Sequence, residues 1–187
     1  MNVINKEKSK ISIVSFGGGG QNKLIYFHSL GIKAKYTCIN DYKSDYLPSE
    51  VNYIEFFPKQ NIPNVFCISN FYNDTVPAEF YNCLRDENYY VFIAGIGRYT
   101  GSTFIDAIAD YFYECKKNFL VLCTIPFEFE IVGGSRINYL RNKYGRKSNF
   151  HFLDLNKYPT HNNSIRMIFE KANQELFQLL KLELSKN

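Results

Sequence analysis

Apolar runs recur along the chain, and most are followed by a stretch with helical spacing. Ile11 to Phe16 reads as a strand, with Ser12 and Ser15 its only polar positions. Lys23 to Leu30 reads as a short helix closed by Gly31. Lys33 to Ile39 is the second predicted strand. Val51 to Phe57 and Asn64 to Ser69 are short β-like runs with prolines between them. Val76 to Asp86 is predicted helical, with Pro77 tolerated in its first turn. Tyr89 to Ala94 and Phe119 to Ile125 read as buried strands. Between them, Ser102 to Lys117 places Phe104, Ile105, Ile108, Ala109 and Phe112 at helical spacing. Arg136 to Lys143 is predicted helical and Phe150 to Leu155 a strand. The last helix is predicted from Ser164 to Leu184. Its apolar face holds Ile165, Ile168, Phe169, Ala172, Leu176, Leu179 and Leu180. Some twenty residues give a helix of about 30 Å, enough to cross a domain.

Strands alternating with helices predict an α/β fold: a doubly wound, mostly parallel sheet flanked by helices. The 187 residues fit one domain with a sizeable core, preceded by a polar, flexible segment from Met1 to Lys10. In such sheets ligands bind beyond the carboxyl ends of the strands. Two glycine-bearing segments follow predicted strands and therefore share that edge. The first is Gly17 to Gly20, which leads into helical spacing near Asn22. Consecutive glycines let backbone approach a ligand closely. At a helix start they also aim N–H groups and the positive helix end at an anion. This combination points to a nucleotide phosphate. The second segment is Gly95 to Gly101.

Composition narrows the partners. The formal charge of +4 is too small to argue for nucleic acid. The densest basic stretch, Arg141 to Lys147, reads as a solvated helix end. No apolar run is long enough to cross a bilayer, and the polar start carries no signal-peptide pattern. The five cysteines, Cys38, Cys67, Cys83, Cys115 and Cys123, show no metal or redox spacing. Cys38, Cys67 and Cys123 read as reduced core residues of a cytoplasmic protein. His28, His151 and His161 form no metal motif, so no metal ligands are assigned.

The order of these segments resembles the tubulin/FtsZ superfamily, its bacterial FtsZ branch above all. The resemblance runs from Ile11 to about Leu180 and covers that family's nucleotide-binding half. Gly18, Gly19, Gly20, Gln21 and Asn22 resemble the glycine-rich GGGGGN segment that contacts phosphate. Asn40, in Ile39-Asn-Asp41, resembles a residue on the nucleotide side. In the family's GGGTGTG loop, Gly97, Thr100, Gly101 and Ser102 match, whereas Arg98, Tyr99 and Thr103 replace glycines. Leu122 to Glu130, followed by Arg136, resembles V-V-T-K-P-F-x-F-E-G-x-x-R. Glu130 and Arg136 are thereby implied on the ribose and phosphate sides. Asn156 matches an Asn that reads guanine. Phe169 would stack on the base and Asn173 would hydrogen-bond its edge. These two lie four apart, on one helix face.

The resemblance implies GTP or GDP as ligand, with Mg2+ as the candidate companion ion. It implies self-association or a full-length FtsZ/tubulin-like partner, in cell division or a cytoskeleton. Two departures stand out. Arg98 and Tyr99 replace glycines, which strains the loop if positive φ is required there; Arg98 alternatively offers a guanidinium to phosphate. The family's acidic loop and second domain have no counterpart before Asn187. The expectation is therefore a regulator or assembly partner with weak or no GTPase activity alone. Two other readings stay open. One is an FtsZ-like scaffold that binds proteins without nucleotide. The other is an NAD(P)-binding Rossmann protein with Asp41 on a ribose, although Asn22 occupies the third glycine position of G-x-G-x-x-G and no catalytic group is evident.

Overall fold

The computed structural model of the chain describes residues 11–56, 80, 84, 89–131, 134–159 and 164–186. Within them, six strands form one sheet: β1 (Ile11–Phe16), β2 (Lys35–Asn40), β3 (Asn52–Glu55), β4 (Tyr89–Gly95), β5 (Phe119–Ile125) and β6 (Phe150–Asp154). Their order is β3-β2-β1-β4-β5-β6, and every pairing is parallel. The chain starts in the middle, builds outward to β3, then returns beside β1 to build the other half. Strand order therefore reverses between β1 and β4, where a crevice opens at the carboxyl edge of such sheets. Phe16 lies in register with Ala94, so the two glycine segments leave the sheet almost level.

Among the described residues the helices are α1 (Gly17–Ser29), α2 (Tyr99–Glu114), α3 (Gly134–Tyr144) and α4 (Ile165–Leu184). Two 3-10 turns, η1 (Glu128–Glu130) and η2 (Leu155–Lys157), follow β5 and β6. Alternation along the strands feeds two cores. Val14, Phe16, Phe92 and Val121 pack with Phe104, Ile108 and Phe112 of α2 and with Leu140 and Tyr144 of α3. Ile13, Val91, Ile93 and Leu122 pack with Leu24 and Phe27 of α1 and with Leu176 and Leu180 of α4. Aromatic rings dominate the first core; Phe16 stacks on Phe104 with centroids 4.9 Å apart.

Three details differ from the sequence reading. Helix α1 starts at Gly17, six residues ahead of the predicted Lys23, so the glycines form its first turn. Glycine is a poor helix former, but contact outweighs propensity here. A Cβ on Gly20 would stand 2.6 Å from the Ile93 carbonyl oxygen, so only glycine lets α1 settle onto β4. Helix α2 likewise starts at Tyr99 rather than Ser102. Ile165 does not join the buried face of α4. It is 52% exposed, whereas Ile168, Ala172, Leu176 and Leu180 are buried, because the first turn of α4 overhangs a cleft.

The predicted strand Asn64 to Ser69 lies outside the described residues, as do Met1 to Lys10, Phe57, Cys67, Cys83 and His161. Of the predicted helix Val76 to Asp86, only Phe80 and Leu84 are described, both buried. Cys38 and Cys123 are buried free thiols, and Cys115 is exposed. No helix among the described residues is long and apolar enough to cross a membrane.

Candidate functional site

The polypeptide turns from β1 into α1 at Gly17, whose φ of +71° lies in the left-handed region that favours glycine. Gly18 and Gly19 follow, exposed in the first helical turn. The N-cap position is Phe16, which supplies no side-chain hydrogen bond, and the first turn holds no acidic residue. Its backbone N–H groups therefore have no side-chain acceptor from the cap. Helix α2 presents the same kind of end. Arg98 occupies its N-cap without a side-chain bond, and no acid lies in its first turn. The two ends are brought together by glycine packing. A Cβ on Gly101 would collide with the Gly95 carbonyl oxygen, and one on Gly19 would come within 3.2 Å of the Gly95 Cα. Two positive helix ends thus converge at the β1/β4 switch point.

Arg98 has φ −127° and ψ 179°, an extended conformation open to any residue. The strain expected if this loop needed positive φ does not arise at Arg98. The glycines kept here serve close packing instead: a Cβ on Gly97 would run into the Pro126 ring. Arg98 is exposed, and the Ser102 hydroxyl donates to its carbonyl at 2.7 Å.

A cleft of about 370 Å³ opens between α1 and α4. Helix α1 contributes Gly19, Asn22 and Lys23, and α4 contributes Ile165, Arg166, Phe169, Glu170 and Asn173. Four of the sequence-predicted site residues, Gly19, Asn22, Phe169 and Asn173, therefore meet in one cavity. Phe169 is held at one edge by Phe127, ring centroids 5.8 Å apart in a T-shaped contact. Ser164 caps α4, its hydroxyl accepting from the Met167 N–H at 3.2 Å.

Other predicted residues do not belong to the lining of this cleft. Gln21 is buried, and its Oε1 accepts from the Ser44 N–H at 3.2 Å, tying α1 to the β2–β3 connection. The Asn40 amide donates to the Tyr42 carbonyl at 2.8 Å. Asn156 braces the loop after β5. Its Oδ1 accepts from the Glu128 N–H at 3.1 Å, and its Nδ2 donates to the Pro126 carbonyl at 3.0 Å and to Asp154 at 2.9 Å. Glu130 accepts from the Phe127 N–H at 3.2 Å. Arg136 sits half-buried in the first turn of α3, and Thr100 in that of α2. Tyr99 opens α2 beside it.

Lys23 was not anticipated from sequence. It is only 3% exposed, and its Nζ donates to the Gly19 carbonyl at 2.8 Å. Burial pushes its pKa down to about 8, against an upward pull from Cys123 and Glu130. The available signal was its position four residues before the core residue Phe27, on the inward face of α1.

Comparison with solved structures decides the fold. FtsZ from M. jannaschii, an empty dimer, superposes with a TM-score of 0.66 at 18% identity, over 96% of this chain and 55% of that one. This is the fold of the FtsZ/tubulin N-terminal domain. CetZ from Methanosaeta thermophila gives a TM-score of 0.67 at 13% identity, over 93% of this chain and 53% of that one. CetZ2 from Haloferax volcanii, a GTPγS-bound protofilament, gives 0.60 at 15% identity, over 94% and 58%. The chain thus spans little more than half the length of these FtsZ-like structures. No protein-family model and no curated protein matches the sequence.

Proposed function

We propose that this chain binds a guanine nucleotide at the β1/β4 switch point. The phosphates lie over the first turns of α1 and α2, and the base enters the cleft against Phe169. The observation that carries this reading is the meeting of Gly19, Asn22, Phe169 and Asn173 in one cleft. An aromatic face and two side-chain amides suit a purine, and acid-free helix ends suit phosphate. The CetZ2 structure of the same fold is GTPγS-bound. In this reading Gly18, Gly20, Thr100 and Ser102 shape the phosphate side, and Glu130, Arg136 and Asn156 support the ribose and base from the flanking loops. Mg2+ is the companion ion that the phosphates would carry.

Phosphoryl transfer to water needs an oriented nucleophile as well as charge stabilisation. In FtsZ-like filaments the water-positioning acids come from the neighbouring subunit, so these residues alone hold nucleotide and hydrolyse it slowly. The cellular role that follows is a regulator or assembly partner of FtsZ/tubulin-like polymers. Freshly purified protein, denatured and chromatographed, should release GDP or GTP, and calorimetry should show guanine preferred over adenine nucleotides. No released nucleotide and no measurable affinity would overturn the reading. Phosphate release should rise when full-length FtsZ is added.

A second reading, a scaffold that binds proteins without nucleotide, draws on Asn40 and Asn156, whose amides are satisfied within the protein. Asn22→Ala with Asn173→Ala separates the two: unchanged partner binding supports the scaffold, altered binding the nucleotide.

A further inference from the structure

We propose that the Lys23 ammonium is a fixed cation of the phosphate site, charge-pairing the nucleotide's phosphate groups from beneath the first turn of α1. This rests on the nucleotide reading above and adds to it a residue for which the FtsZ-like motifs provide no role. Three observations carry it. Nζ lies 3.8 Å from where a Cβ on Gly19 would stand, so the ammonium sits beside the exposed first turn of α1. Lys23 borders the cleft although only 3% of it is exposed. Its hydrogen bond among the described residues goes to a neutral acceptor, the Gly19 carbonyl.

A buried ammonium is costly unless a counter-charge answers it. The groups that pull on the Lys23 proton are Cys123, whose buried thiol is pushed up to about 12 and stays neutral, and then Glu130, whose Oε2 accepts from the Phe127 N–H; neither forms an ion pair with Lys23 among the described residues. The positive end of α1 lies beside the same ammonium with no acid in its first turn. Positive potential therefore accumulates around Gly19, and the ligand that satisfies it is a polyanion. An ordinary purine nucleoside offers no such charge. The phosphates do, and they also supply acceptors for the two N–H bonds that Nζ has left.

The test is calorimetry of GDP and guanosine in EDTA, with wild type and Lys23→Met. Wild type should bind GDP more tightly than guanosine without a divalent ion. Lys23→Met should lose roughly 10- to 100-fold for GDP and far less for guanosine. Unchanged GDP affinity overturns the proposal, as does an equal loss for both ligands. If wild type binds neither, the nucleotide reading itself falls. A second measurement needs no variant. Between pH 8 and pH 9 the free site loses most of its ammonium form, so the GDP-over-guanosine preference should fall about three- to fivefold in wild type. A flat preference overturns the proposal even if the variant does not fold.

Discussion

Two lysines on helices that cover opposite faces of the sheet meet opposite fates. Lys143 on α3 reaches Asp106 at 2.9 Å and Asp110 at 2.7 Å. The Tyr144 hydroxyl lies 2.8 and 2.7 Å from the same two carboxylates and shares its single proton between them. Burial pulls the Lys143 pKa down, but its hydrogen bonds to Asp110 and Asp106 outweigh it and hold the ammonium above the ordinary lysine range. Lys23 on α1 is the more deeply buried, yet its bond goes to a carbonyl and its pKa sits near 8. Burial alone does not tell what a charged side chain is for. The location of its counter-charge does. The protein answers Lys143 from within, which fastens α3 to α2. It leaves Lys23 to be answered from outside.

The largest effect should come from breaking the answered pair. Asp106→Ala removes an acceptor from both Lys143 and Tyr144 and should cost about 3 kcal/mol in urea unfolding. A loss below about 0.5 kcal/mol would mean that the network does not hold α2 to α3. Lys23→Met should move the other way. Removing an unanswered ammonium from an apolar setting should stabilise the ligand-free protein by about 2 kcal/mol at pH 7. Destabilisation would make the bond to Gly19 a structural tie and erase the contrast.

How much of this was legible depends on whether local pattern or distant contact decides. β5 appears where predicted, Phe119–Ile125, because a strand buried on both faces reads as an unbroken apolar run. The start of α1 was hidden, because glycine propensity argues against helix and only contact with Ile93 selects it. The grouping of Gly19, Asn22, Phe169 and Asn173 came from resemblance: residues on α1 and α4 lie too far apart in sequence for spacing to join them. The bracing role of Asn156 was equally hidden, since Pro126 and Glu128 reach it only after β5 and β6 pair. A lysine in a helix reads as solvated, and only the packing of α1 shows that Lys23 is not.

The pH dependence of stability sharpens the comparison with a smaller effect. Unfolded Lys23 holds its proton to 10.5, whereas the folded protein releases it near 8. Between these values the unfolded state binds more protons, so stability rises with pH. Cys38 and Cys123 act in the opposite sense. Burial pushes their thiols from 9.0 up to about 11 and 12, so unfolding gains ionisation as pH passes 9. Lys143 is protonated in both states through this range and adds no slope. Between pH 8 and 9 Lys23 alone contributes a rise of about 1 kcal/mol, offset by about 0.7 kcal/mol as the two thiols ionise in the unfolded chain, and comparison with Lys23→Met isolates the lysine's share. Urea titrations at the two ends should show that share as the difference between wild type and Lys23→Met.

Arg166 should give the smallest change. It borders the same cleft as Lys23, and its Nε donates to Glu170 at 3.0 Å, one helical turn along α4. Like Lys143 it has a carboxylate partner, but the two side chains are 88% and 54% exposed. Water already answers both charges, so pairing them adds little. Arg166→Ala should change unfolding stability by less than about 0.5 kcal/mol, and 1 M salt should remove most of that. A loss above about 1 kcal/mol would show that pairing matters here regardless of burial. The distinction between Lys143 and Lys23 would then rest on partners alone, and the deep burial of Lys23 would lose its meaning as a sign of an absent anion.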